Sequence, residues 1–319
     1  MEKFRWCYIG CGSIARNTAL NIERGSHVIS SVYSRNYEKA VDFAKKHNAV
    51  AYKTAGDAME DCDAVYIATP HTSHVEYALE AMKMKKPVLC EKPVGVSEKD
   101  VDRLISCARE NDVYFCEAMW TWFSPVAGKV REWIKNGEIG SLRKLTIHYS
   151  FPGLMKPKTS RVRDPQTAGG ALLDIGIYPI TYCYNLFGYP DEIICSGKVK
   201  DGIDTAETVT LRYGEAKCKL IMSLSSVKED CRIVGTEGKI NIPVFHVAPF
   251  ASLKNKNGKQ HFTGITDYLT EFNIVAEEIR NGKKESEYIP LESTKACMKI
   301  MDECRKQMKL VYPFENNPF

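Results

Sequence analysis

Regular alternation between short apolar runs and amphipathic stretches restricts the fold of this chain more than any other feature of its sequence. The runs typical of β-strands are Phe4–Ile9, His27–Ser34, Ala64–Thr69, Pro87–Cys90 and Val113–Glu117. Helical periodicity fills the segments between them, at Ile14–Arg24, Tyr37–His47, Ser73–Met84 and Ser97–Asn111. Strands and helices that alternate in this way require right-handed crossovers and a parallel sheet covered on both faces. The first part of the chain therefore predicts a doubly wound α/β fold.

This pattern ends at Trp120, and strands then follow one another directly. A helix at Ser124–Asn136 and a strand at Leu142–Ser150 precede a Gly- and Pro-rich loop at 151–170 and an apolar stretch at 171–187. Later elements are predicted as strands at Ile193–Val199, Thr205–Tyr213, Ala216–Ser225 and Asp230–Val234 and as helices at Tyr268–Arg280 and Glu292–Leu310. We expect a Rossmann domain at 1–121 and an α+β domain at 122–319, with a mainly antiparallel open sheet for substrate binding and oligomerisation.

Composition excludes several classes of protein. The 44 basic and 40 acidic residues leave a net charge of +4, and the short lysine runs do not form the basic footprint of a nucleic-acid-binding protein. The chain has no apolar run of about 18 residues, and its start lacks the apolar segment of a signal peptide. The twelve cysteines include no CxxC pair, which favours reduced, buried thiols over disulfides or zinc. We expect a cytoplasmic protein that binds neither membrane nor nucleic acid.

A glycine-rich turn follows the first predicted strand. The segment Gly10-Cys11-Gly12-Ser13-Ile14-Ala15 has the form G-x-G-x-x-A and opens the first predicted helix. Glycines permit a tight turn and close approach to a pyrophosphate, and the free N–H groups of the helix N-terminus stabilise its charge. A structural turn without a ligand is the alternative interpretation. The position in a βαβ unit favours a dinucleotide site.

The end of the second strand bears on which dinucleotide binds. Sites for NAD carry an acidic residue there to bind the ribose 2′-hydroxyl, whereas this chain has Ser34 and Arg35. A guanidinium group pairs with a 2′-phosphate that an acid would repel. Arg35 is alternatively an exposed residue at a helix start. The missing acid favours NADP(H) as the cofactor, with NAD(H) also possible.

A second motif, Glu91-Lys92-Pro93, ends a later strand. With the glycine-rich turn it resembles the glucose–fructose oxidoreductase/inositol dehydrogenase (Gfo/Idh/MocA) family. Further matching segments cover nearly the whole chain: Thr69–His74, Glu117–Phe123, Gly169–Pro179, Gly235–Gly238 and the closing helix around Met301. The segment from Glu117 to Phe123 is similar to the dimeric dihydrodiol dehydrogenase and xylose dehydrogenase branch.

The resemblance implies a set of site residues. The cofactor would be held by Gly10, Gly12, Ser13, Ile14, Ser34, Arg35, Thr69, Pro70, His74, Glu91 and Lys92. The family's Lys-Pro bond is cis, which implies that Lys92 faces the nicotinamide. Lys92 would act in catalysis with Asp174 and Tyr178. An ordinary surface lysine at position 92 is the alternative.

The spacing of Asp174 and Tyr178 is consistent with shared chemistry. Residues four apart lie on one face of a helix, although Gly176 and Pro179 indicate a first turn or a kink rather than a regular interior. Alcohol oxidation needs a base for the hydroxyl proton, and Tyr (pKa ~10) and Lys (pKa ~10.4) serve at neutral pH only when neighbours lower their pKa. The family usually has His where this chain has Tyr178, and its glucose–fructose oxidoreductase and dihydrodiol branches have Tyr. The alternative is that Asp174 caps a helix and Tyr178 packs an interface.

Several aromatic residues are candidates for a substrate pocket. We expect Trp120, Trp122, Phe151 and Arg161 to bind substrate, with burial of the aromatic residues in the core as the alternative. Trp122 stands where the dihydrodiol branch often has an arginine, so this chain departs from that branch's pattern at the predicted substrate side. His71 and His74 are too few to hold a metal, so we expect none.

Together these features predict an NADP(H)-dependent oxidoreductase that moves a hydride between nicotinamide and a sugar, polyol or related cyclic hydroxy or carbonyl compound. Two alternatives remain open: a trans-dihydrodiol dehydrogenase, and a non-catalytic dinucleotide-binding regulator. The resemblance also implies a homodimer or higher homo-oligomer formed through the C-terminal sheet.

Overall fold

The chain forms two compact units. The computed structural model describes residues 2–315. One unit contains the chain up to Trp120 together with Asp267–Thr294, and the other contains Thr121–Thr266 together with the chain from Lys295 onward. The predicted second domain covers all of 122–319, whereas the structure groups Asp267–Thr294 with the first unit.

Six parallel strands form the sheet of the first unit. They are β1 (Phe4–Ile9), β2 (His27–Tyr33), β3 (Val50–Tyr52), β4 (Ala64–Ile67), β5 (Val88–Glu91) and β6 (Phe115–Ala118). Their order, β3-β2-β1-β4-β5-β6, is that of a Rossmann fold, in which ligands bind beyond the carboxyl ends of the strands. The predicted doubly wound fold is confirmed. The three-residue β3 was too short to be predicted from periodicity.

Helices cover both faces of this sheet. They are α1 (Ser13–Ile22), α2 (Tyr37–His47), α3 (Ala55–Glu60), α4 (His74–Lys83) and α5 (Glu98–Asn111). Each apolar face is buried, as in α5, where Val101, Leu104 and Ile105 lie in the core. The sequence predicts all of these helices except the short α3.

The second unit is built on an eight-stranded sheet. Its helices are α6 (Pro125–Lys135) and α7 (Ile177–Phe187), and a π-helix at Leu172–Gly176 precedes α7 directly. The strands are β7 (Leu142–Ser150), β8 (Glu192–Lys200), β9 (Ile203–Tyr213), β10 (Ala216–Ser223), β11 (Lys228–Gly235), β12 (Gly238–Ile242), β13 (Phe250–Asn255) and β14 (Gly258–Thr263). They follow the order β14-β13-β12-β11-β7-β10-β9-β8. Only the β7–β10 pair is parallel among these strands, so the predicted mainly antiparallel sheet is confirmed.

The two faces of this sheet differ in chemistry. Leu145, Ile147, Leu220 and Ile233 are fully buried on one face. On the other face, directly paired positions form a row of six cations, which we call the cationic row: Arg212, Lys217, Lys144, Lys239, Lys254 and Lys259, with Val234 between Lys144 and Lys239. Within residues 2–315, Glu192 forms an ion pair with Arg212 at 2.7 Å, and the five lysines form none.

Two further helices complete the chain, α8 (Tyr268–Arg280) and α9 (Leu291–Met308). Helix α8 packs on the parallel sheet because Phe272, which is fully buried, contacts Trp6 and Tyr66 with ring centroids 4.8 and 5.0 Å away. This contact explains why Asp267–Thr294 belongs to the first unit. No helix in residues 2–315 has the length and apolar character needed to cross a membrane.

Candidate active site

The glycine-rich turn lies at the carboxyl end of β1. Gly10 has φ +106°, and a Cβ there would lie 2.7 Å from the Ala68 carbonyl oxygen and 3.1 Å from the Thr69 nitrogen. Only glycine fits such a backbone and such a close approach. At Gly12, a Cβ would meet only the Ala68 oxygen, at 3.9 Å, among described atoms. The turn therefore brings the loop after β1 against the loop after β4 and leaves open space at Gly12.

The N-terminus of α1 is free of a side-chain cap. Gly12 occupies the cap position, and the first turn contains no acidic residue. In contrast, five other helices are capped by a side-chain oxygen, from Asn36, Thr54, Ser97, Ser124 and Asp267. An uncapped helix N-terminus provides free N–H groups and the positive end of the helix dipole. The α1 terminus therefore fits the diphosphate of a dinucleotide.

Cations and a hydroxyl surround Cys11 in this turn. Burial raises the pKa of the Cys11 thiol to about 11, and the charges of Arg16 and Lys39 and a hydrogen bond with Ser34 oppose that shift. Arg16 also donates to the Cys11 carbonyl oxygen at 3.0 Å. Arg35 is exposed at the start of the β2–α2 connection. Ser34, Arg16 and Lys39 therefore converge on the turn, and the sequence predicts only Ser34 of the three.

A cavity of about 530 Å³ adjoins the same turn. It lies between α1 and α2, and Cys11, Gly12, Arg16 and Lys39 contribute to its lining. Glu23 and Asp42 also line this cavity, so only its end beside the glycine-rich turn, Arg16 and Lys39 suits an anionic group.

Thr69 supplies an unsatisfied polar group beside Gly10. Its Oγ1 is buried and has no hydrogen-bond partner within residues 2–315. Buried hydroxyls are normally hydrogen-bonded, so an orphaned one at the carboxyl edge of a parallel sheet indicates a ligand contact. This observation agrees with the prediction that Thr69 contacts cofactor.

His74 joins the loops that follow β4 and β5. The side chain is fully buried, its Nε2 lies 2.7 Å from the Thr69 carbonyl oxygen and its Nδ1 lies 2.8 Å from the Pro93 carbonyl oxygen. Carbonyl oxygens only accept, so both hydrogen bonds form together when both ring nitrogens carry a proton. The sequence predicts that His74 contacts cofactor. In the structure, its two ring nitrogens are directed at backbone carbonyl oxygens, one in the loop after β4 and one in the loop after β5.

Lys92 is half-buried directly after β5, and its peptide bond to Pro93 is cis. The neighbouring β6 places the buried Glu117 against this loop, where it accepts a hydrogen bond from the Val94 N–H at 3.2 Å. Burial raises the pKa of Glu117 to about 7, although the Val94 N–H and the Lys92 charge favour its ionised form. His74 and Glu117 therefore hold the Lys92 loop from two elements.

Glu91 faces the interior of the first unit. It is 6% exposed, and its Oε1 accepts a hydrogen bond of 2.6 Å from the Tyr66 hydroxyl. Glu91 therefore anchors the strand end that carries Lys92, and its contact with cofactor stays a prediction.

In the second unit, Asp174 and Tyr178 lie on consecutive helices. Asp174 is in the π-helix and Tyr178 is in the first turn of α7, which agrees with the predicted kink. Arg161, in a short 3₁₀ turn, donates to Asp174 Oδ1 at 2.7 Å. Because π-helices are rare and occur mostly at functional sites, the segment 172–178 is a strong candidate for the catalytic element.

Tyr178 belongs to an aromatic cluster that the sequence does not predict. Its ring meets those of Tyr149 and His246 edge-on, with centroids 5.7 and 4.7 Å away, and Tyr149 stacks on His246 at 4.7 Å. Tyr149 comes from β7 and His246 from the loop after β12. Residues this distant in sequence carry no local signal of their proximity.

Two of the four predicted substrate residues, Trp120 and Trp122, are buried within their units. Trp120 is 7% exposed and packs on Tyr268 at 4.4 Å. Trp122 is 3% exposed and lies under the Arg131 guanidinium, 4.5 Å from the ring centroid. This burial agrees with the core alternative for both tryptophans.

Two residues remain as partly accessible candidates for the substrate side. Phe151 is half-buried, with the Lys156 ammonium 5.3 Å from its ring centroid, and Arg161 is 37% exposed. Within residues 2–315, no group of three His, Cys, Asp or Glu side chains is placed to hold a metal ion.

Two family models match this chain. Residues 4–118 match the model described as "Oxidoreductase family, NAD-binding Rossmann fold" (GFO_IDH_MocA), and residues 128–241 match the GFO/IDH/MocA C-terminal domain.

Curated relatives align over almost the full length. The chain is 34% identical to scyllo-inositol 2-dehydrogenase (NADP⁺) IolU of Bacillus subtilis, over 89% of this chain and 90% of the relative. It is 32% identical to trans-1,2-dihydrobenzene-1,2-diol dehydrogenase of Danio rerio, over 97% of this chain and 98% of the relative.

Solved structures share the fold. The 3-ketoreductase KijD10 of Actinomadura kijaniata, solved with NADP and TDP-benzene, superposes with a TM-score of 0.86 at 21% identity, covering 96% of this chain and 98% of that one. The aldose–aldose oxidoreductase of Caulobacter crescentus, complexed with glycerol, gives 0.87 at 16% identity over 97% and 98% of the two chains.

Proposed function

The chain belongs to the GFO/IDH/MocA family of oxidoreductases, and from this premise we propose that it is an NADP(H)-dependent dehydrogenase of cyclic polyols or sugars. The observation that carries the proposal is the cofactor-side arrangement: an uncapped α1 N-terminus beside Ser34, Arg16 and Lys39, with no acidic residue at the end of β2. The positive charges of Arg16 and Lys39 suit a phosphorylated ribose and disfavour specificity for NAD.

The relatives support a substrate with hydroxyls on a six-membered ring. Scyllo-inositol and trans-1,2-dihydrobenzene-1,2-diol, named in the two curated relatives, both contain a secondary alcohol beside a trans hydroxyl on such a ring. The Arg161–Asp174 pair offers an oriented carboxylate, which accepts a hydrogen bond from a substrate hydroxyl. We propose that the vicinal ring diol is the feature this enzyme recognises.

In the proposed reaction, NADP⁺ supplies the hydride acceptor when bound. Tyr178, as a phenolate, accepts the proton of the reacting hydroxyl as the C–H bond is cleaved, and we assign Lys92 to the same step from its place in the Glu91-Lys92-Pro93 motif. Asp174, held by Arg161 at 2.7 Å, orients the hydroxyl. The His74 and Glu117 contacts keep the Lys92 loop in place before the substrate arrives.

Steady-state oxidation with NADP⁺ and NAD⁺ tests this proposal. The panel comprises scyllo-inositol, myo-inositol, D-glucose, D-xylose and trans-1,2-dihydrobenzene-1,2-diol. We expect turnover of at least one saturated polyol or sugar, with a higher kcat/KM for NADP⁺ than for NAD⁺. Tight NADPH binding without turnover of any compound would instead support a dinucleotide-binding regulator.

A dihydrodiol substrate is the second candidate. The Tyr149–Tyr178–His246 cluster favours it, because aromatic faces and edges pack well on an unsaturated ring. Exclusive oxidation of the dihydrodiol in the same panel would establish this alternative over the saturated polyols.

We also propose a cytoplasmic homodimer that pairs through the open face of the second-unit sheet. The twelve cysteines are all buried in the structure, which suits a reducing compartment. The exposed sheet face is a surface that can pair with a second copy, and the cationic row constrains how it does so.

A further inference from the structure

Two buried carboxyl groups lie against the π-helix that carries Asp174. Asp204 and Glu207, both on β9, are 0% and 3% exposed. Asp204 Oδ2 accepts a hydrogen bond from the Leu172 N–H at 2.6 Å, at the first residue of the π-helix. Glu207 lies beside its last residue, because a Cβ at Gly176 would be 3.5 Å from Glu207 Oε1. The pair therefore contacts both ends of the segment 172–176.

The backbone before the π-helix is fitted closely to Asp204. Gly170 has φ +125°, and a Cβ there would lie 2.9 Å from Asp204 Cγ, so that neither the backbone nor the space admits another residue. The carboxylate therefore fills the place beside the turn that starts the catalytic segment.

Neither carboxyl group is balanced by a donor on its remaining oxygens. Within residues 2–315, Asp204 Oδ1 and both oxygens of Glu207 have no hydrogen-bond partner other than each other's carboxyl group. Burial raises the pKa of Glu207 well above its usual range, and the negative charge of Asp204 raises it further. Burial also raises the pKa of Asp204, although Glu207 and the Leu172 N–H oppose this.

The other titratable groups near the pair do not neutralise it. Cys195 on β8 and Cys304 on α9 face Glu207, and Tyr312 faces both acids. Arg305 lies over the Tyr312 ring at 5.1 Å, and its guanidinium is bound to Glu315 at 2.9 Å. Two buried carboxyl groups in this position gain a hydrogen bond when one of them stays protonated and donates that hydrogen bond to the other.

We propose that Asp204 and Glu207 share one proton and act as positioning residues for the π-helix, and thereby for Asp174. The catalytic part of this inference rests on the proposed function, because it takes Asp174 as a member of the active site. Loss of the shared proton places two negative charges side by side beneath the helix, which displaces residues 172–176.

Isosteric variants separate the shared proton from simple packing. The amide of Glu207→Gln donates to Asp204 at every pH, so we expect kcat to stay within about twofold of the wild type at neutral pH and to persist at alkaline pH where the wild type declines. Glu207→Leu removes the donor and should lower kcat by about 10²-fold while KM for NADP⁺ stays unchanged. The control, Glu215→Gln, makes the same change at an exposed turn residue and should behave as the wild type.

Melting curves test the shared proton without any turnover. A carboxyl group whose pKa is raised by folding stabilises the fold below its unfolded pKa, and this contribution is lost as pH rises through the folded pKa. The wild type should therefore lose melting temperature relative to Glu207→Gln as pH rises from about 5 to 8, and Glu215→Gln should follow the wild type.

The outcomes distinguish the two proposals. Parallel melting curves for wild type and Glu207→Gln overturn the shared proton, whatever the activity. If kcat has the same pH dependence at alkaline pH in wild type and Glu207→Gln, the positioning role is overturned. An unchanged kcat in Glu207→Leu also overturns it. If no polyol or sugar is turned over, the proposed function fails, and the melting curves still decide whether the proton is shared.

Discussion

At the scale of single residues, Tyr178 is the most informative position. It is 6% exposed and its ring contacts Tyr149 and His246 edge-on. Tyr178→Phe keeps the ring and its packing but removes the hydroxyl oxygen that would take the substrate proton. We expect kcat to fall by about 10²–10⁴-fold, the usual contribution of a general base, with melting temperature little changed. Near-normal kcat at all pH values would assign the proton to another group and leave Tyr178 as part of the aromatic cluster.

Cofactor choice also depends on individual side chains. Arg16→Ala and Lys39→Ala should each weaken NADPH binding by about 10-fold or more while changing NADH binding little, because charge-assisted contacts contribute about 1.5–3 kcal/mol. Fluorescence titration with both cofactors measures the difference. Arg35→Ala applies the same test to the exposed arginine that the sequence predicts to pair with the 2′-phosphate. Equal losses for NADPH and NADH in all three variants would show that these cations do not recognise the 2′-phosphate.

Site residues can be predicted from sequence only where a local motif marks the position. The glycines of the turn, Lys92 and the Asp174–Tyr178 spacing all stand in short recognisable segments. Arg16 and Lys39 face the turn from two different helices, and Asp204 and Glu207 reach the π-helix from a strand. Such positions follow from tertiary packing, which no short segment of sequence encodes.

At the scale of elements, the contact between strand β6 and the loop after β5 should make stability depend on pH, because it is formed by the buried carboxyl group of Glu117. Burial raises the pKa of Glu117 to about 7, whereas an unfolded Glu has a value of about 4.3. Wild-type stability should therefore decline between about pH 4 and pH 7 relative to Glu117→Gln, by a total of about 4 kcal/mol, and the difference should be constant above that range.

Urea unfolding of both proteins at several pH values measures this decline. Glu110→Gln, at an exposed position of α5, is the control. The same pH dependence in wild type and Glu117→Gln would mean that Glu117 keeps an ordinary pKa in the folded protein.

Element prediction was accurate for regular, strongly patterned segments. β1, α2, β7 and α8 begin and end at the predicted residues. The strands β12, β13 and β14 were not predicted, because their exposed positions interrupt the apolar pattern; β14 has no fully buried residue. The π-helix was not predicted as such, although Gly176 and Pro179 indicated that the helix there would be irregular.

At the scale of the whole molecule, the cationic row provides a test of the proposed dimer. Like charges at directly paired positions repel one another, and a symmetric partner on the same face would add a second row. Salt screens such repulsion, with a Debye length of about 30 Å at 0.01 M and about 8 Å at 0.15 M. If the open sheet face forms the dimer, association should strengthen as NaCl rises from about 10 to 150 mM.

Sedimentation equilibrium at several salt concentrations measures this effect. Lys144→Gln with Lys217→Gln removes two neighbouring charges and should reduce the salt dependence, whereas Lys83→Gln changes an exposed lysine of α4 in the first unit and serves as the control. If the dissociation constant of the dimer depends neither on salt nor on the double substitution, the dimer forms through another surface.

Isotope transfer shows whether this oxidoreductase moves a hydride between a cyclic polyol and NADP(H). Scyllo-inositol deuterated at its ring carbons is incubated with the enzyme and NADP⁺, and the isolated NADPH is examined by mass spectrometry and NMR. We expect one deuterium per NADPH, at the nicotinamide C4, and a corresponding ketone from the inositol. If deuterated inositols and deuterated sugars all leave NADP⁺ unreduced, or if the NADPH formed carries no deuterium, hydride transfer from a cyclic polyol is ruled out.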